Sequence, residues 1–263
     1  MREVYIKGSR LSYEMDSFSN TDYVFTMDTP DEILVGSYKP INHVFFAVDT
    51  ANISTANMFV YFFNGITYQT LDIVDETRNL SRPGIVRWAR NQSEYKTTEF
   101  GKQLYWYKVK FDGLTNSILL NGIGVLFSAD YDLIEEYPNI ADMMPNSWTS
   151  FLKFHIAAKK EIMGFIRNRG IMVNTKGGQR IATEDDILEP EELRDASKFM
   201  TLSKIFRWAS DSVGDKWDSK AAFYEQKYGD QMSMINLSLD YNDDGKETID
   251  EKDSVQSILL VRV

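Results

Sequence analysis

The sequence predicts an α+β protein, with an N-terminal antiparallel β-sandwich, a small α-helical bundle and a C-terminal strand-like tail. Three observations lead to this prediction. Residues 22–130 contain a succession of short segments rich in β-branched and aromatic residues, with no helical pattern between them. Pro138 and Pro145 then interrupt the pattern. From about residue 150 onward, apolar residues recur at the helical spacings of three and four.

Eight strands are predicted in the N-terminal half. Asn64-Gly65 predicts a hairpin with a type I′ turn, because Asn tolerates and Gly accepts the positive φ that both central residues need. Gly122-x-Gly124 lies inside the last strand and predicts a β-bulge. The predicted strands are TDYVFTM, EILVGSY, HVFFAVD, NMFVYFF, ITYQTLDIV, GIVRWAR, LYWYKVKF and SILLNGIGVLF.

The helices of the C-terminal half are predicted from their end signals. Asn146 or Ser147 can cap a first helix, which Gly170 would stop. A polar loop follows, with Lys176-Gly177-Gly178 at its tip. Thr183 can cap a short helical turn, and Pro190 suits the first position of the next helix.

Asp218 or Ser219 is predicted to begin a last helix, and SILLVRV closes the chain as a predicted strand. The resulting domain division has four parts. These are a β-sandwich domain at 1–137, a linker at 138–149, a helical domain at 150–240, and an acidic loop with a C-terminal strand at 241–263.

Composition narrows the classes of function. The formal charge is −10, from 29 basic and 39 acidic residues, so the chain lacks the basic footprint of a protein that grips nucleic acid. There is no cysteine, which excludes disulfides, thiolate nucleophiles and Cys-ligated metals. No secretory signal or membrane-spanning stretch is recognisable. We therefore expect a protein of a reducing compartment, or of a particle assembled in one, without a membrane partner.

Charge is unevenly distributed along the chain. Residues 78–110 hold eight Lys or Arg against two Glu, whereas residues 230–253 hold eight Asp or Glu against two Lys. Both runs are candidate contact surfaces for charged partners. Solvated faces with no partner are the simpler interpretation of each.

No constellation of catalytic residues is recognisable. His43 and His155 are the only histidines, so paired histidine metal ligands are absent. The motifs of nucleophile elbows, phosphate-binding loops and dinucleotide-binding turns are also absent. We expect no enzyme activity, no catalytic residue and no required cofactor.

One metal-binding motif is complete. Asp240 to Glu251 matches the calcium-loop pattern D-x-[DN]-x-[DN]-G-x5-E at every constrained position. Ca²⁺ takes six to eight oxygen ligands, and the glycine allows the sharp turn. A metal-free acidic turn is the competing interpretation, because SVQSILLVRV does not resemble an exiting helix. The predicted ligands are Asp240, Asn242, Asp244, the Lys246 carbonyl and Glu251.

The aromatic residues of the N-terminal half allow two interpretations. Trp88 and Trp106, with the tyrosines at 105 and 107, could form a platform on which a sugar ring stacks. Alternating aromatics on strands also form the core on one face and cross-strand pairs on the other.

The C-terminal half, from about Ser150 to Val263, resembles the head-to-tail adaptor (connector) proteins of tailed bacteriophages. The likeness includes Ala221-x-x-Tyr224 and Tyr228, followed by the acidic connection and a strand-like end near Arg262. It is carried by the segments AAKKEIMGFIRNRG, ILEPEELRDASKFMTLSKIFRWAS and KWDSKAAFYEQKYGDQMSMINLSLDYNDDG, in this order.

This resemblance implies a virion protein of the phage neck, assembled in the host cytoplasm. It implies a helical bundle that forms a twelvefold ring between the portal protein and a head-closure or tail protein, with DNA passing through the ring. Such adaptors usually lack a β domain, so residues 1–145 depart from the pattern. That half is similar to β-sandwich modules of other phage structural proteins.

The predicted partner-binding residues lie in the tail. A strand formed by residues 257–263 would be apolar on both faces, so it needs a sheet to join, and β-augmentation is the natural route. The acceptor is either the chain's own sandwich or, as the resemblance implies, the portal or a neighbouring ring subunit. The residues are Ile258, Leu259, Leu260, Val261, Arg262 and Val263.

Two other functions remain as alternatives to the phage-neck protein. A carbohydrate- or receptor-binding β-sandwich module would use the tryptophans and a Ca²⁺-ordered loop. An acid/base hydrolase, which would need two carboxyl groups facing each other across a cleft, ranks last.

Overall fold

A computed structural model describes residues 2–6, 9–12, 25–27, 32–90, 93–175, 177–235 and 237–242. The fold class is confirmed as α+β. The chain divides into two compact units. The β unit contains residues 1–131 and 146–150, and the helical unit contains residues 132–145 and 151–263.

The β unit contains two antiparallel sheets. The larger sheet has the order β2-β1-β4-β11-β6-β7, with β10 paired to β11, and the smaller has the order β3-β12-β5-β9-β8. The strands are β1 (Arg2–Ile6), β2 (Ser9–Ser12), β3 (Phe25–Met27), β4 (Glu32–Ser37), β5 (His43–Thr50), β6 (Asn57–Phe63), β7 (Tyr68–Thr70), β8 (Ile73–Asp75), β9 (Gly84–Trp88), β10 (Thr97–Glu99), β11 (Lys102–Asp112) and β12 (Ile118–Gly124).

Aromatic residues join the two sheets of the β unit. The Trp88 ring of the smaller sheet lies 5.3 Å from the Tyr107 ring of the larger sheet. The Trp88 indole N–H donates to the Ile41 carbonyl at 2.9 Å, and the Ile41 N–H donates to the Tyr107 hydroxyl at 3.0 Å. Burial, followed by the neighbouring Glu94 carboxylate, raises the pKa of Tyr107 well above its usual value. The sandwich core is therefore polar at this point, but its polar groups are paired.

Each predicted strand has a counterpart among the described residues, with one correction; of TDYVFTM only Phe25–Met27 is described, and residues 21–24 lie outside the described range. The segment ITYQTLDIV forms two short strands, β7 and β8, which pair in different sheets. Its alternation of apolar and polar residues breaks at Gln69-Thr70, and Leu71 is buried where the chain passes from one sheet to the other. Strands β1, β2 and β10 were not predicted.

The Asn64-Gly65 hairpin is confirmed, although its turn differs from the prediction. Strands β6 and β7 pair antiparallel across a four-residue loop. Gly65 has a positive φ of 95°, and Asn64 does not. Instead, the Asn64 side-chain oxygen accepts hydrogen bonds from the N–H groups of Ile66 and Thr67 at 3.0 and 2.8 Å. This Asx turn closes the hairpin without a left-handed asparagine.

The predicted bulge at Gly122-x-Gly124 is also present. The register between β12 and β5 shifts between Leu120 and Gly122. A glycine allows the backbone irregularity that the extra residue requires.

The helical unit contains four helices and one two-stranded sheet within the described residues. The elements are α1 (Asp130–Glu136, of which residues 132–136 belong to this unit), α2 (Leu152–Asn168), β13 (Met172–Thr175), β14 (Gly178–Ile181), α3 (Arg194–Ala209) and α4 (Lys216–Met234). Short 3₁₀ turns cover Pro138–Met143, Glu184–Asp186 and Pro190–Leu193.

Two predicted helix starts are wrong. Helix α2 begins at Leu152, after the buried Phe151, and not at Asn146 or Ser147. Helix α4 is capped by Asp215, and not by Asp218 or Ser219. The Asp215 carboxylate accepts from the backbone N–H groups of Asp218 and Trp217 at 2.7 and 2.8 Å.

The Asp218 N–H is the largest cause that lowers the pKa of Asp215, which falls to about 2. A residue that directly satisfies two free amides at the helix start is the better cap. In return, the Asp218 carboxylate accepts from the Gly214 N–H at 2.8 Å.

Residues predicted as a linker have structure of their own. Pro138, predicted only to interrupt the strand pattern, begins the 3₁₀ turn Pro138–Met143, and residues 132–145 group with the helical unit. Where a polar loop was predicted around Lys176-Gly177-Gly178, strands β13 and β14 pair as a hairpin, with Gly178 as the first residue of β14; Lys176 lies outside the described residues. Period-2 alternation over only four residues on each strand is too short to predict this hairpin.

Gly36 is a close-packing constraint in the larger sheet. A Cβ built on Gly36 would lie 2.6 Å from the Trp106 ring and 2.9 Å from the Leu104 side chain. Those side chains belong to a buried cluster with Tyr5 and Leu34 on the same face. Trp106 can therefore be buried only because residue 36 has no side chain.

We predict that Gly36→Ala lowers the free energy of unfolding by about 1–3 kcal/mol, the usual cost of overpacking a core. Urea denaturation of the full chain measures it. Gly164→Ala is the matched control, because a Cβ on this helical glycine meets nothing within 4 Å and should leave stability equal or higher. Equal stability of Gly36→Ala and the unmodified protein would contradict the packing argument.

Candidate functional site

The predicted site residues fall in two groups. Asp240 and Asn242 are described by the structure. The remaining calcium-loop residues Asp244, Lys246 and Glu251, and the tail residues 258–263, lie outside the described residues. The candidate site is therefore built from residues 237–242, which we call the C-terminal segment, and from the elements that hold it.

Backbone hydrogen bonds hold the C-terminal segment on two sides. On one side, the Leu188 N–H donates to the Ser238 carbonyl at 2.8 Å and the Asp240 N–H donates to the Asp186 carbonyl at 2.9 Å. On the other side, the Asn174 N–H in β13 donates to the Tyr241 carbonyl at 2.8 Å. Main-chain bonds thus hold the segment to residues 186–188, where Ile187 and Leu239 form an isolated β-bridge, and to β13.

A carboxylate adds a side-chain bond to this arrangement. Glu192, at the turn before α3, accepts from both the backbone N–H and the hydroxyl of Ser238, at 2.8 and 2.9 Å. Leu237 and Leu239, which precede and follow Ser238 in the sequence, are both buried. Apolar burial and charge-assisted hydrogen bonds therefore hold the same three residues.

Asp186, whose backbone carbonyl accepts from the Asp240 N–H, makes four more hydrogen bonds through its side chain. Its side chain is 0% exposed. It accepts two bonds from the Arg180 guanidinium at 2.5 and 2.7 Å, and two from the N–H and hydroxyl of Thr183 at 2.8 and 2.9 Å. The predicted Thr183 cap is confirmed, as part of a reciprocal capping box with Asp186.

A buried lysine connects the same turn to the first long helix. Lys159 of α2 is buried, and its ammonium lies 2.5 Å from the Glu184 carboxylate. Because Glu184 follows Thr183 directly, α2, the turn, the β13–β14 hairpin and the C-terminal segment form one connected set of polar contacts. Their effect is to fix the place from which the chain continues beyond residue 242.

The charged side chains around the C-terminal segment serve mainly to hold it in place. Its charged groups are bonded to one another and no nucleophile is paired with a base among the residues named. Within the described residues, no group of three or more His, Asp or Glu side chains is placed to hold a metal ion. Asp240 is fully buried, and Asn242 is exposed. The calcium loop stays a prediction, because three of its five ligands lie outside the described range.

Of the two interpretations of the aromatic residues, the structure bears out the core packing of Trp88 and Trp106, which leaves neither ring exposed for a sugar to stack on. Trp106 is 1% exposed and Trp88 is 5% exposed. Both indole N–H groups are used internally, by the Lys102 carbonyl at 3.1 Å and the Ile41 carbonyl at 2.9 Å. The alternation on β11 places one aromatic residue in each of two buried clusters, which is the packing interpretation of the same pattern.

Three of the eight basic residues in the run at residues 78–110 pair with nearby carboxylates. Arg87 pairs with Glu76 at 3.3 Å, and Lys108 pairs with Glu99 at 3.2 Å. The Lys110 ammonium lies 2.6 Å from a third carboxylate, that of Glu32. These pairs favour the interpretation of a solvated face over that of a docking surface.

Sequence analysis missed a cluster of cations and aromatic rings in the helical unit. The Lys220 ammonium lies 2.6 Å from the Tyr137 hydroxyl and 4.0 Å from the centre of its ring. Lys227 pairs with Glu136 at 2.7 Å and lies 4.6 Å from the Phe199 ring. These contacts, with the Asp132–Arg194 pair at 2.5 Å, hold residues 132–137 against α3 and α4.

No signal in the sequence could have found this cluster, because Tyr137 and Lys220 are separated by 83 residues. Each of these residues alone is typical of an ordinary amphipathic helix. Only the packing of α3 against α4 brings the lysines of α4 to Glu136 and Tyr137.

Comparison with known proteins does not assign the chain to a family. No family model matches the chain, and a search of curated proteins finds no match. One similar solved structure is described as CpGH89CBM32-6 produced by Clostridium perfringens, with a TM-score of 0.29 and 12% identity, over 46% of this chain and 90% of that chain. A TM-score this low does not establish a shared fold. Among the described helices, none has the length and apolar character needed to cross a membrane.

We predict that Arg180→Gln destabilises the protein more than Asp186→Asn does. Removing Arg180 leaves a fully buried carboxylate without its counter-charge, at a cost on the order of 3 kcal/mol. Asp186→Asn removes the buried charge itself and leaves a guanidinium whose side chain is already 37% exposed, so we expect about 1–2 kcal/mol. Chemical denaturation of both variants measures the order, and the reverse order would contradict the assignment of Asp186 as the buried centre.

For the calcium loop, we predict that Ca²⁺ raises the melting temperature of the unmodified protein, and that Asp244→Ala combined with Glu251→Gln removes the rise. The double variant loses two charged ligands, so binding to the folded state no longer stabilises it. Differential scanning fluorimetry after chelation, with and without millimolar Ca²⁺, measures the effect. No thermal shift and no calorimetric heat in the unmodified protein would end the calcium hypothesis.

Proposed function

We propose that the protein is a structural component of a tailed-phage neck, where it forms a ring that connects the portal to the tail and lets DNA pass. The observation that carries the proposal is the anchored C-terminal segment. Main-chain bonds hold it as far as Tyr241, at a fixed place on the helical unit. The 21 residues that follow residue 242 comprise an acidic stretch and the apolar Ile258–Val263.

Such an arrangement is suited to β-augmentation of a partner. Because Tyr241 is already held in place, fewer residues have to be ordered when the chain beyond it binds a partner. Less conformational entropy is then lost on binding. An apolar strand at its end gains main-chain hydrogen bonds from any open sheet edge and needs no specific side-chain chemistry. The partner proposed for residues 258–263 is the portal protein or a neighbouring ring subunit.

The resemblance to head-to-tail adaptors supports the remaining features of the proposal. It favours a ring of about twelve copies, by analogy with the family alone. It also favours a head-closure or tail protein as the second partner, and a virion location after assembly in the host cytoplasm. The β unit decorates this ring. The net charge of −10 suits DNA in transit, because an acidic lumen offers no phosphate contacts that would hold the duplex.

We predict that deleting residues 257–263 abolishes attachment to the portal protein of the same phage and leaves the melting temperature nearly unchanged. The deletion removes the strand proposed to be donated and leaves intact the described contacts that hold residues 237–242. Co-sedimentation with purified portal rings, with negative-stain microscopy of the product, measures attachment. Thermal denaturation of the subunit alone measures its stability.

A variant with the seven residues replaced by a Gly-Ser sequence is the matched control for tail length. It should behave as the deletion does, because a flexible polar tail has the reach but not the apolar side chains. Portal attachment by either variant contradicts the proposal. Unfolding of the truncated subunit would assign the tail to the protein's own core instead.

A further inference from the structure

The β13–β14 hairpin has two edges, which differ in what covers them. At the β13 edge, the Asn174 N–H donates to the Tyr241 carbonyl of the C-terminal segment at 2.8 Å. Strand β14 (Gly178–Ile181) pairs with β13 and, within the described residues, with no other strand. In the described part of the chain, the outer edge of β14 is therefore open. We call it the β14 edge.

The main-chain groups of Gln179 point out of the β14 edge. In an antiparallel pair, two residues directly opposite each other either exchange hydrogen bonds or both point outward. Asn174 lies opposite Gln179, and its N–H is used on the far side, by Tyr241. The N–H and C=O of Gln179 therefore point away from β13, and neither has a partner among the described residues. The N–H of Ile181, two residues further on, points the same way.

Apolar side chains lie beside the β14 edge on both faces of the hairpin. Met172 and Ile181 are directly opposite each other, and their side chains are 39% and 45% exposed. The other face carries Val173 and Ala182, which are both buried. A strand added at this edge continues both faces, because its side chains alternate between them. The β14 edge therefore suits a strand that is apolar on both sides.

The β14 edge has few of the features that protect an open strand from pairing. Proteins often place a proline, a bulge or an unpaired charge on such an edge. Strand β14 contains no proline, and it pairs with β13 without a register shift. Its single charged residue, Arg180, is bound to the buried Asp186 carboxylate at 2.7 Å. The remaining protection is the short length of β14, which limits an added strand to about four to six residues.

The chain beyond Asn242 contains one segment of matching length and chemistry. Five of the six residues of Ile258–Val263 are apolar, so a strand formed by them has apolar side chains on both faces. The 15 residues 243–257 span up to about 50 Å when extended. The segment can therefore leave one copy at Tyr241 and reach the β14 edge of a neighbouring copy.

We propose that residues 258–263 of one copy add as a strand to the β14 edge of the next copy. The inference rests on the ring assembly proposed above and assigns an acceptor to the donated strand. The chain leaves from the β13 edge of the hairpin and is accepted at the β14 edge, so each copy donates on one side and accepts on the other. Such a contact is heterologous, the type that generates a ring when the rotation between copies closes.

The placement of the two edges favours a neighbouring copy over the other acceptors of the tail. To reach the β14 edge of its own copy, the tail has to cross the hairpin from the β13 edge. Attachment to the portal then depends on the tail through ring closure, because linked copies bind a symmetric partner far more tightly than single copies do.

The absence of cysteine from the chain makes a direct test possible. Full-length Gln179→Cys and Leu260→Cys, carrying tags of different size, are co-expressed and treated with a short bismaleimide. A strand donated between copies should give covalent heterodimers of the two variants. A chain that carries both substitutions should give a ladder of oligomers, because each copy then donates and accepts.

Ser219→Cys is the matched control for the acceptor thiol. Ser219 is exposed on α4, away from the hairpin. Co-expressed with Leu260→Cys, it should give far fewer heterodimers than Gln179→Cys does. Equal yields from the two acceptor variants would contradict the proposed strand contact.

Removal of one main-chain donor provides the second measurement. Gln179→Pro deletes the N–H that points out of the β14 edge and leaves the bonds between β14 and β13 in place, because a proline is accepted where the N–H faces outward. We expect self-association to weaken about fivefold, as the loss of one hydrogen bond predicts. Gln179→Ala is the matched control, because it loses the same side chain but keeps the N–H. Analytical ultracentrifugation measures association, and thermal denaturation checks that both variants fold. Equal association of the two folded variants contradicts the contact.

Negative-stain microscopy of the unmodified protein, with and without portal rings, separates the two proposals. Rings together with heterodimers support both. Rings without heterodimers overturn the strand contact, leave the ring standing and leave the tail to the portal. Heterodimers without rings support the strand contact and count against the ring. Cross-links of the double variant that form only within single copies overturn the contact and assign the β14 edge to the chain's own tail. Neither rings nor heterodimers overturn both proposals.

Discussion

The helical unit depends on the buried carboxylate of Asp186. Its side chain accepts the guanidinium of Arg180 and caps the turn at Thr183, and its backbone carbonyl accepts the N–H of Asp240. A buried charge is costly unless it is paired and hydrogen-bonded, so these partners have to be in place together. One residue thereby fixes the β13–β14 hairpin, the Glu184–Asp186 turn and the C-terminal segment relative to one another. The proposed function uses this constraint, because a partner-binding strand is useful only if its starting point is fixed.

In the β unit, the main constraint is the space available to packed side chains and not the pairing of charges. Gly36 leaves the space that Trp106 fills, and Trp106 in turn packs with Tyr5 at a ring distance of 5.7 Å. The core of the sandwich thus takes up the aromatic residues that would otherwise form an exposed binding platform. This explains why strands that are rich in aromatic residues contribute these residues to the protein interior. It also removes the specific residues on which a carbohydrate-binding role was based.

Much of the fold is predictable from local signals, and the errors have identifiable causes. Thr183 predicts its turn correctly because a cap acts over two or three residues, whereas Pro190, predicted to begin a helix, begins the 3₁₀ turn Pro190–Leu193 that leads into α3. The start of α4 was misplaced because Asp215, Asp218 and Ser219 are all good caps, and only the observed hydrogen bonds choose among them. The β13–β14 hairpin was read as a loop because each of its strands has only four residues. Its pairing with Tyr241 adds stability from residues far away in the sequence.

By itself, the sequence determined the order of a β unit and a helical unit, the apolar stripes of α3 and α4, and the absence of cysteine chemistry. These properties depend on residue type and on spacing along the chain. Tertiary structure alone decided that Trp88 and Trp106 are buried, that Lys220 meets Tyr137, and that Asp186 joins three separate segments. The physical reason is that burial and ion pairing depend on which distant residues come together. Contacts across 50 to 100 residues leave no periodicity in a sequence, so they have to be observed in the fold.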